Sequence, residues 1–133
     1  MAIERPSGVG QIVVLNGAPR SGKSSIAAAI QDGFGGVWMN LGVDAWVREV
    51  TPKRLRPGIG LRPGEEREEL SALVPVMYAG LYDSVAAHSR LGLNVVVDVG
   101  HYVEETLVDC ARRLDGLPAL FVGVRCPIDV IME

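Results

Sequence analysis

Eight consecutive residues near the start of the chain have the types and the spacing of a phosphate-binding loop. In order they are Gly17, Ala18, Pro19, Arg20, Ser21, Gly22, Lys23 and Ser24. Glycine, four residues and then Gly-Lys-Ser is the P-loop pattern: backbone N–H groups cradle phosphates, the lysine reaches the β- and γ-phosphate oxygens, and the serine hydroxyl ligates Mg²⁺. Together with the adjacent Ser25, these residues form the predicted nucleotide site. An ordinary glycine-rich turn is the alternative interpretation.

A P-loop binds phosphate without deciding whether the nucleotide is hydrolysed, acts as a switch or donates its γ-phosphoryl group. Side chains at the ends of neighbouring strands must decide, because ligands of a doubly wound sheet bind beyond the carboxyl ends of its strands. The residues that the sequence places there are Asn16, Asp44, Asp98 and Arg125.

Two of these residues are aspartates with defined chemical uses. Asp98 ends a run of valines, where an acid can hold Mg²⁺ through water beside Ser24; a helix N-cap or a turn is the alternative. Asp44 follows the second predicted strand and, in a kinase, can accept the proton of an attacking hydroxyl. Its alternative is the N-cap of a helix that begins at Ala45, and the two uses of Asp44 are compatible.

The histidines and cysteines carry weaker signals. His101 lies just past the third predicted strand, within reach of a substrate, but a loop histidine is more often a surface group. His88 lies near the end of a predicted helix, where positive charge is favourable. Cys110 is expected to pack within its helix, and Cys126 has no neighbour that would activate it.

A basic cluster lies in a loop rich in proline and glycine over residues 51–64. It could close over phosphates, but acids follow at once and favour a solvated, self-compensating surface. The basic residues are Lys53, Arg54, Arg56 and Arg62, and the acids are Glu65, Glu66, Glu68 and Glu69.

Alternating strands and helices are needed to position the candidate site. Short β-branched runs predict strands over residues 11–16, 37–43, 93–98 and 119–125. Helices are predicted over residues 23–31, 45–49 and 103–114, and another begins at residue 127. A long helical pattern runs from Glu65 to Val85, and Pro75 should kink or split it. This alternation predicts an α/β fold of the P-loop NTPase type, a doubly wound parallel sheet flanked by helices.

The composition narrows the classes of protein and partner. The formal charge is −3 and the pI about 5.4, which argues against partners that need a basic surface, namely nucleic acid and anionic membranes. No apolar run approaches the roughly 20 residues that span a bilayer, and the N-terminus does not resemble a secretory signal. The expectation is a cytoplasmic protein with no membrane partner.

Five segments resemble, in order and spacing, the chloramphenicol phosphotransferase family. They are residues 12–17, the Gly-Lys-Ser-Ser of the P-loop, residues 41–44 (Leu-Gly-Val-Asp), residues 95–98 and residues 121–126 (Phe-Val-Gly-Val-Arg-Cys). Because a whole superfamily shares the P-loop, the resemblance depends mainly on the Gly-Val-Asp and Val-Gly-Val-Arg-Cys segments.

The resemblance implies a kinase-like protein that uses Mg-ATP to phosphorylate a small-molecule alcohol. In the protein that gives the family its name, the acceptor is the primary hydroxyl of chloramphenicol. By the same resemblance Asp44 is the general base, Lys23 and Ser24 hold phosphate and metal, and Asp98 lies in the outer shell of the metal. ATP and Mg²⁺ are the expected cofactors, a chloramphenicol-like antibiotic is the expected acceptor, and residues 1–133 are expected to form a single P-loop kinase-like domain.

The chain departs from the family in two places. The family continues with an arginine-bearing lid and a fifth strand, so this chain, ending at Glu133, is expected to be incomplete at its C-terminus. Arg20 and Arg125 are the candidates to replace the lid arginines. Residues 52–64 also differ from the family, and an acceptor-binding loop would lie there.

Two alternatives to the main hypothesis are kept: a nucleoside or sugar-type kinase, and a nucleotide-binding module without turnover. The oligomeric state is left open.

Overall fold

Four parallel strands form the central sheet of the computed structural model, which describes residues 2–18, 21–55, 68–100 and 104–125. They are β1 (Ile12–Asn16), β2 (Trp38–Asn40), β3 (Asn94–Val99) and β4 (Ala119–Gly123). Their order in the sheet is β2-β3-β1-β4. The third strand therefore lies between the first two, and β4 pairs with the other side of β1.

Helices cover both faces of this sheet. They are α1 (Lys23–Gly33), α2 (Val43–Ala45), α3 (Val74–Arg90) and α4 (Glu104–Arg113). A π-helical turn (Trp46–Val50) continues α2, and 3₁₀ turns occupy Lys53–Leu55 and Glu68–Leu70. Ala27 and Ile30 of α1 pack on one face, whereas α3 and α4 contribute to the core on the other. The predicted α/β fold with a doubly wound parallel sheet is confirmed.

The valine run of β3 is buried on both faces of the sheet. Val95 and Val97 belong to the core formed with α3 and α4, and Val96 belongs to the core formed with α1. All three side chains have no exposed surface, as expected for a strand in the middle of a parallel sheet. This strand therefore gives Asp98, the next residue, a fixed position.

The second strand is shorter than predicted. The prediction of a strand over residues 37–43 is wrong beyond Asn40, where β2 ends. The side-chain oxygen Oδ1 of Asn40 accepts a hydrogen bond from the backbone N–H of Gly42 at 2.9 Å, which turns the chain out of the sheet. Helix α2 then begins at Val43, two residues before the predicted start.

The long helical pattern is split at Pro75. Helix α3 begins at Val74, so Pro75 lies in its first turn, where a missing backbone N–H leaves no hydrogen bond unmade. Leu70 instead ends a separate 3₁₀ turn. Within the described ranges, no helix is long and apolar enough to cross a membrane.

Strand β4 lies at one edge of the described sheet and is partly uncovered. Leu120 is 61% exposed and Phe121 is 43% exposed. A mainly apolar cavity of about 290 Å³ lies between this strand and α4. It is lined by Asn16, Leu107, Ala111, Phe121, Val122 and Gly123. The predicted strand over residues 119–125 ends at Gly123, and the helix predicted from residue 127 lies outside the described residues.

Candidate functional site

The candidate site forms where the carboxyl ends of β1, β2 and β3 meet. The P-loop leaves β1 after Asn16 and enters α1 at Lys23. Asp44 lies in the first turn of α2, just after β2, and Asp98 lies near the end of β3. Ligands of doubly wound sheets bind at this edge, and the sheet brings the P-loop, Asp44 and Asp98 together there.

Two glycines allow the P-loop to follow its path. Gly22 has φ +100°, a left-handed conformation that residues with a side chain rarely adopt. A Cβ atom on Gly17 would lie 2.5 Å from the carbonyl oxygen of Val124 and 2.9 Å from Oγ of Ser21. The loop is therefore held close to the segment after β4, and a side chain at Gly17 would displace it. Pro19 and Arg20 lie outside the described residues.

The ammonium group of Lys23 is held against the loop. Its Nζ donates hydrogen bonds to the carbonyl oxygen of Gly17 and, at 3.4 Å, to that of Ala18. Burial lowers the pKa of Lys23, whereas the negative charges of Asp98 and Asp44 oppose this shift. The only lysine in the loop is thus within electrostatic range of both candidate acids.

The described part of the loop fits a phosphate group. Oγ of Ser21 is buried and has no hydrogen-bond partner among the described residues, and such a hydroxyl can donate to an anionic oxygen. Ser24 and Ser25 are exposed at the start of α1, where the positive end of the helix dipole favours an anion. A cation, the unpaired hydroxyl of Ser21 and a helix N-terminus therefore meet at one place.

Ser24 and Asp98 together present oxygen atoms of the kind that ligate a metal ion. Oγ of Ser24 donates a long hydrogen bond of 3.4 Å to Oδ2 of Asp98. Burial raises the pKa of Asp98 and the charge of Asp44 adds to the rise, whereas Lys23 and the hydrogen bond from Ser24 oppose it. A hydroxyl and a buried carboxylate fit Mg²⁺, which prefers oxygen ligands and takes several of them from water and phosphate. Accordingly, no cluster of three metal-binding side chains is needed, and none is present in the described ranges.

Asp44 does not cap a helix. The N-cap of α2 is Gly42, which has no side chain to cap the helix. Asp44 is the second residue of the helix and is exposed to solvent. The expected alternative, an N-cap of a helix that begins at Ala45, is therefore wrong. Asp98 is likewise part of β3 and caps no helix within the described residues.

The segment that carries Asp44 lies directly against Asp98. A Cβ atom on Gly42 would lie 1.6 Å from Oδ1 of Asp98, so only glycine can occupy that position without a shift. Gly42 and Asp98 are far apart in sequence, and the sequence analysis did not predict their contact. It also overlooked Asn40, although asparagine two residues before glycine at a strand end is a recognisable turn signal.

A comparison with protein families classifies the chain. Residues 10–133 match the model of the family described as chloramphenicol phosphotransferase-like protein. The chain belongs to this family. The predicted resemblance is thereby confirmed.

The curated relatives that this chain matches are longer than the chain. The protein named "Putative O-phosphotransferase Rv2636", from Mycobacterium tuberculosis strain H37Rv, is 29% identical over 129 residues. The match covers 86% of this chain and 57% of the relative, and a counterpart from strain CDC 1551 gives the same figures. The chain therefore spans somewhat more than half the length of the curated relatives it matches.

Solved structures show the same fold. The protein APE1195 superposes with a TM-score of 0.73 at 22% identity, over 96% of this chain and 68% of that protein. The APS kinase CysC of Mycobacterium tuberculosis, as a cysteine-to-alanine mutant, gives 0.66 at 19% identity over 91% and 79%. A gluconokinase from Sinorhizobium meliloti 1021 gives 0.61 at 22% identity over 92% and 61%. The family member described here therefore shares its fold with these three proteins.

The other candidate residues lie away from this site or outside the described residues. Nδ1 of His88 is 2.7 Å from the carbonyl oxygen of Ser84 in the last turns of α3, which fits a helix-end role. Cys110 is fully buried, and burial raises the pKa of its thiol to about 11, which makes it unreactive. Lys53 and Arg54 are exposed. Outside the described residues lie Arg56, Arg62, Glu65, Glu66, His101 and Cys126.

Replacing Asp98 with asparagine is expected to stabilise the protein when no metal or nucleotide is bound. Asp98 is only 8% exposed and its pKa is raised, so its ionised form destabilises the folded state. Each unit of such a rise corresponds to about 1.36 kcal/mol at neutral pH. We expect Asp98→Asn to unfold at higher urea concentration than the wild type at pH 7. The gain should shrink as the pH falls through the raised pKa of Asp98, and it should vanish below the ordinary carboxyl range, where the acid is neutral in both the folded and the unfolded chain.

The exposed acid Asp115 provides the control for this prediction. Asp115→Asn should leave the unfolding midpoint at pH 7 unchanged. Mg-ATP should then stabilise the wild type more than Asp98→Asn, because a ligand stabilises in proportion to its affinity for the folded state. Equal or lower stability of Asp98→Asn at pH 7 would contradict the assignment of a strained buried charge.

Proposed function

We propose that this chain carries the catalytic site of an ATP-dependent O-phosphotransferase. It transfers the γ-phosphoryl group of ATP to a hydroxyl of a small molecule, with Asp44 as the general base. The best first acceptor is a chloramphenicol-like antibiotic. Because Mg-ATP is a cytoplasmic substrate, we propose that the protein acts in the cytoplasm.

One observation carries this proposal: Lys23, Asp44 and Asp98 lie within electrostatic range of one another at the carboxyl edge of the sheet. Lys23 is influenced by both acids, and Asp98 is influenced by Asp44 and Lys23. A nucleotide-binding site alone requires the lysine and one acid beside Ser24. The second acid, exposed in the first turn of α2, is the group that a transferase requires and a simple binding loop does not.

Asp44 moves the proton in the proposed step. The acceptor oxygen forms a bond to the γ-phosphorus, and the bond from that phosphorus to the β–γ bridging oxygen breaks. Its electron pair remains on ADP, and the hydroxyl proton passes to the carboxylate of Asp44 and then to water. Because Asp44 is exposed, a substrate hydroxyl can approach it and the proton can leave it.

Lys23 and the loop hold and neutralise the phosphates during this step. The ammonium group of Lys23 already lies against the loop carbonyls, so it needs little reorganisation to contact a phosphate oxygen. Ser24 and Asp98 are the residues that would hold Mg²⁺, which supplies positive charge to the β- and γ-phosphate oxygens. Burial fixes the carboxylate of Asp98 in place, since β3 cannot shift without disturbing both cores.

A different small-molecule alcohol is the second candidate acceptor. The observation that favours it is the likeness to a gluconokinase, whose name indicates a sugar-acid substrate, and the relatives named O-phosphotransferase specify no acceptor. The sequence of residues 52–64, which departs from the family, also favours an altered acceptor site.

The experiment is mass spectrometry of a reaction that contains the 133-residue protein, Mg-ATP and a panel of hydroxylated antibiotics, nucleosides and sugars, with ADP measured in the same run. Reactions with excess EDTA and without protein are the controls. Phosphorylated chloramphenicol is the expected product, and a phosphate on another alcohol would retain the reaction and change the acceptor. ATP binding with neither ADP nor a phosphorylated product would refute transfer by this chain and favour a nucleotide-binding module.

A further inference from the structure

We propose that Asn40 is a positioning residue that holds the Asp44 segment against Asp98. This inference rests on the proposed function, in which Asp44 and Asp98 act in one reaction. It assigns a role to a side chain at the end of β2 that neither binds phosphate nor carries a proton.

Asn40 fixes the turn by a local hydrogen bond. Its Oδ1 accepts from the backbone N–H of Gly42 at 2.9 Å, which is the geometry of an Asx turn. Backbone pairing with β3 continues for one further bond, from the N–H of Leu41 to the carbonyl oxygen of Val96 at 3.0 Å. The side chain of Asn40 thus takes over the donor of Gly42 where the sheet stops supplying acceptors.

Gly42 is the point at which this turn meets the site. Its Cα is so close to Asp98 that a Cβ would lie 1.6 Å from Oδ1 of that carboxylate and 3.1 Å from Oδ1 of Asn40. A small displacement of Gly42 therefore changes the distance between the two acids directly.

The two ends of the turn are held by different forces. On the far side, Val43 and Val47 are 3% and 7% exposed and anchor α2 and the following π-helical turn in the core. On the near side is a glycine, which has more backbone freedom than any other residue and no side chain to pack. Two hydrogen bonds limit that freedom: the N–H of Gly42 donates to Asn40, and the carbonyl oxygen of Gly42 accepts from the N–H of Trp46 at 3.0 Å. The bond to Trp46 holds the start of α2, so losing only the bond to Asn40 should make the position of Asp44 less well defined without unfolding α2.

Three variants test this role. Asn40→Leu keeps the size of the side chain and removes the acceptor, whereas Asn40→Asp keeps an acceptor oxygen at an exposed position and adds a charge. Met39→Leu, on the same strand, is the matched control. We expect Asn40→Leu to lower kcat for phosphoryl transfer roughly 10- to 100-fold, as small misplacements of reacting groups do, with KM for ATP unchanged. Asn40→Asp should recover most of that loss, and Met39→Leu should resemble the wild type.

A measurement that needs no turnover accompanies the kinetics. Hydrogen exchange of the Gly42 amide, followed by NMR, should be slow in the wild type and in Asn40→Asp and faster in Asn40→Leu. Wild-type kcat in Asn40→Leu, or a Gly42 amide that remains protected there, would overturn the inference. A wild-type protein that transfers no phosphate would instead refute the proposed function, and the exchange data would still decide whether Asn40 fixes the turn.

Discussion

Replacing Lys23 with methionine is expected to abolish most phosphoryl transfer and to weaken ATP binding. Methionine keeps much of the length of the side chain and removes its charge and hydrogen bonds. Loss of a preorganised charge aimed at a reacting group costs about 10²- to 10³-fold in rate. We expect a fall of that size in kcat/KM, measured as ADP formation with the best acceptor, and a weaker ATP titration by calorimetry.

The composition of the chain supplies an unusually clean control for Lys23. Only one other lysine is present, Lys53, and it is exposed in a 3₁₀ turn. Lys53→Met changes the net charge by the same amount, so any general effect of charge on ATP binding appears in both variants. Equal losses in the two variants would contradict the phosphate role of Lys23.

Stability separates a functional loss from unfolding in this experiment. Burial lowers the pKa of Lys23, which means that its positive charge is disfavoured in the folded protein by more than Asp98 and Asp44 compensate. Lys23→Met should therefore unfold at the wild-type temperature or higher, as measured by circular dichroism during heating. A protein that is both inactive and clearly less stable would leave Lys23 with a structural role as well.

The sequence predicted the sheet well because its signals are local. β1 and β3 are short runs of apolar, β-branched residues, and their burial follows from their composition. The alternation of strands with helices then restricts the fold to a parallel sheet. The order β2-β3-β1-β4 could not be read in the same way, because it depends on which strands pair and not on any one segment.

Element ends were predicted less well for an equally physical reason. β2 ends at Asn40 because a side chain competes with the sheet for the N–H of Gly42, and apolar periodicity does not register that competition. Helix α3 begins at Val74 because proline is tolerated in a first turn, so a single pattern of apolar residues covers two separate elements.

The candidate site shows the same division between local and distant signals. The P-loop is a contiguous motif, and Lys23 and Ser24 follow from it directly. Asp44 and Asp98 follow from the rule that strand ends carry the site, while their roles remain predictions. The contact of Gly42 with Asp98 joins the turn after β2 to β3 across a long stretch of sequence, and spacing alone could not reveal it.

Replacing Asp44 with asparagine is expected to remove phosphoryl transfer and to leave ATP binding intact. An amide has the shape of the carboxylate but cannot take the proton of the acceptor hydroxyl, and the loss of a general base costs about 10²- to 10⁴-fold. Single-turnover formation of the phosphorylated acceptor measures this loss. Asp115→Asn, which also neutralises an exposed aspartate, is the matched control and should transfer phosphate at the wild-type rate.

The direction of the change in Mg-ATP affinity distinguishes a base from a metal ligand. Asp44 raises the pKa of Asp98 and opposes the fall in the pKa of Lys23, so its negative charge is felt throughout the phosphate site. Removing that charge makes the site more favourable for the anionic phosphates, so Asp44→Asn should bind Mg-ATP at least as tightly as the wild type. Weaker Mg-ATP binding would assign Asp44 to the metal beside Asp98, and the base would then have to be sought elsewhere. Unimpaired transfer would remove Asp44 from the mechanism, because an amide at that position cannot accept a proton.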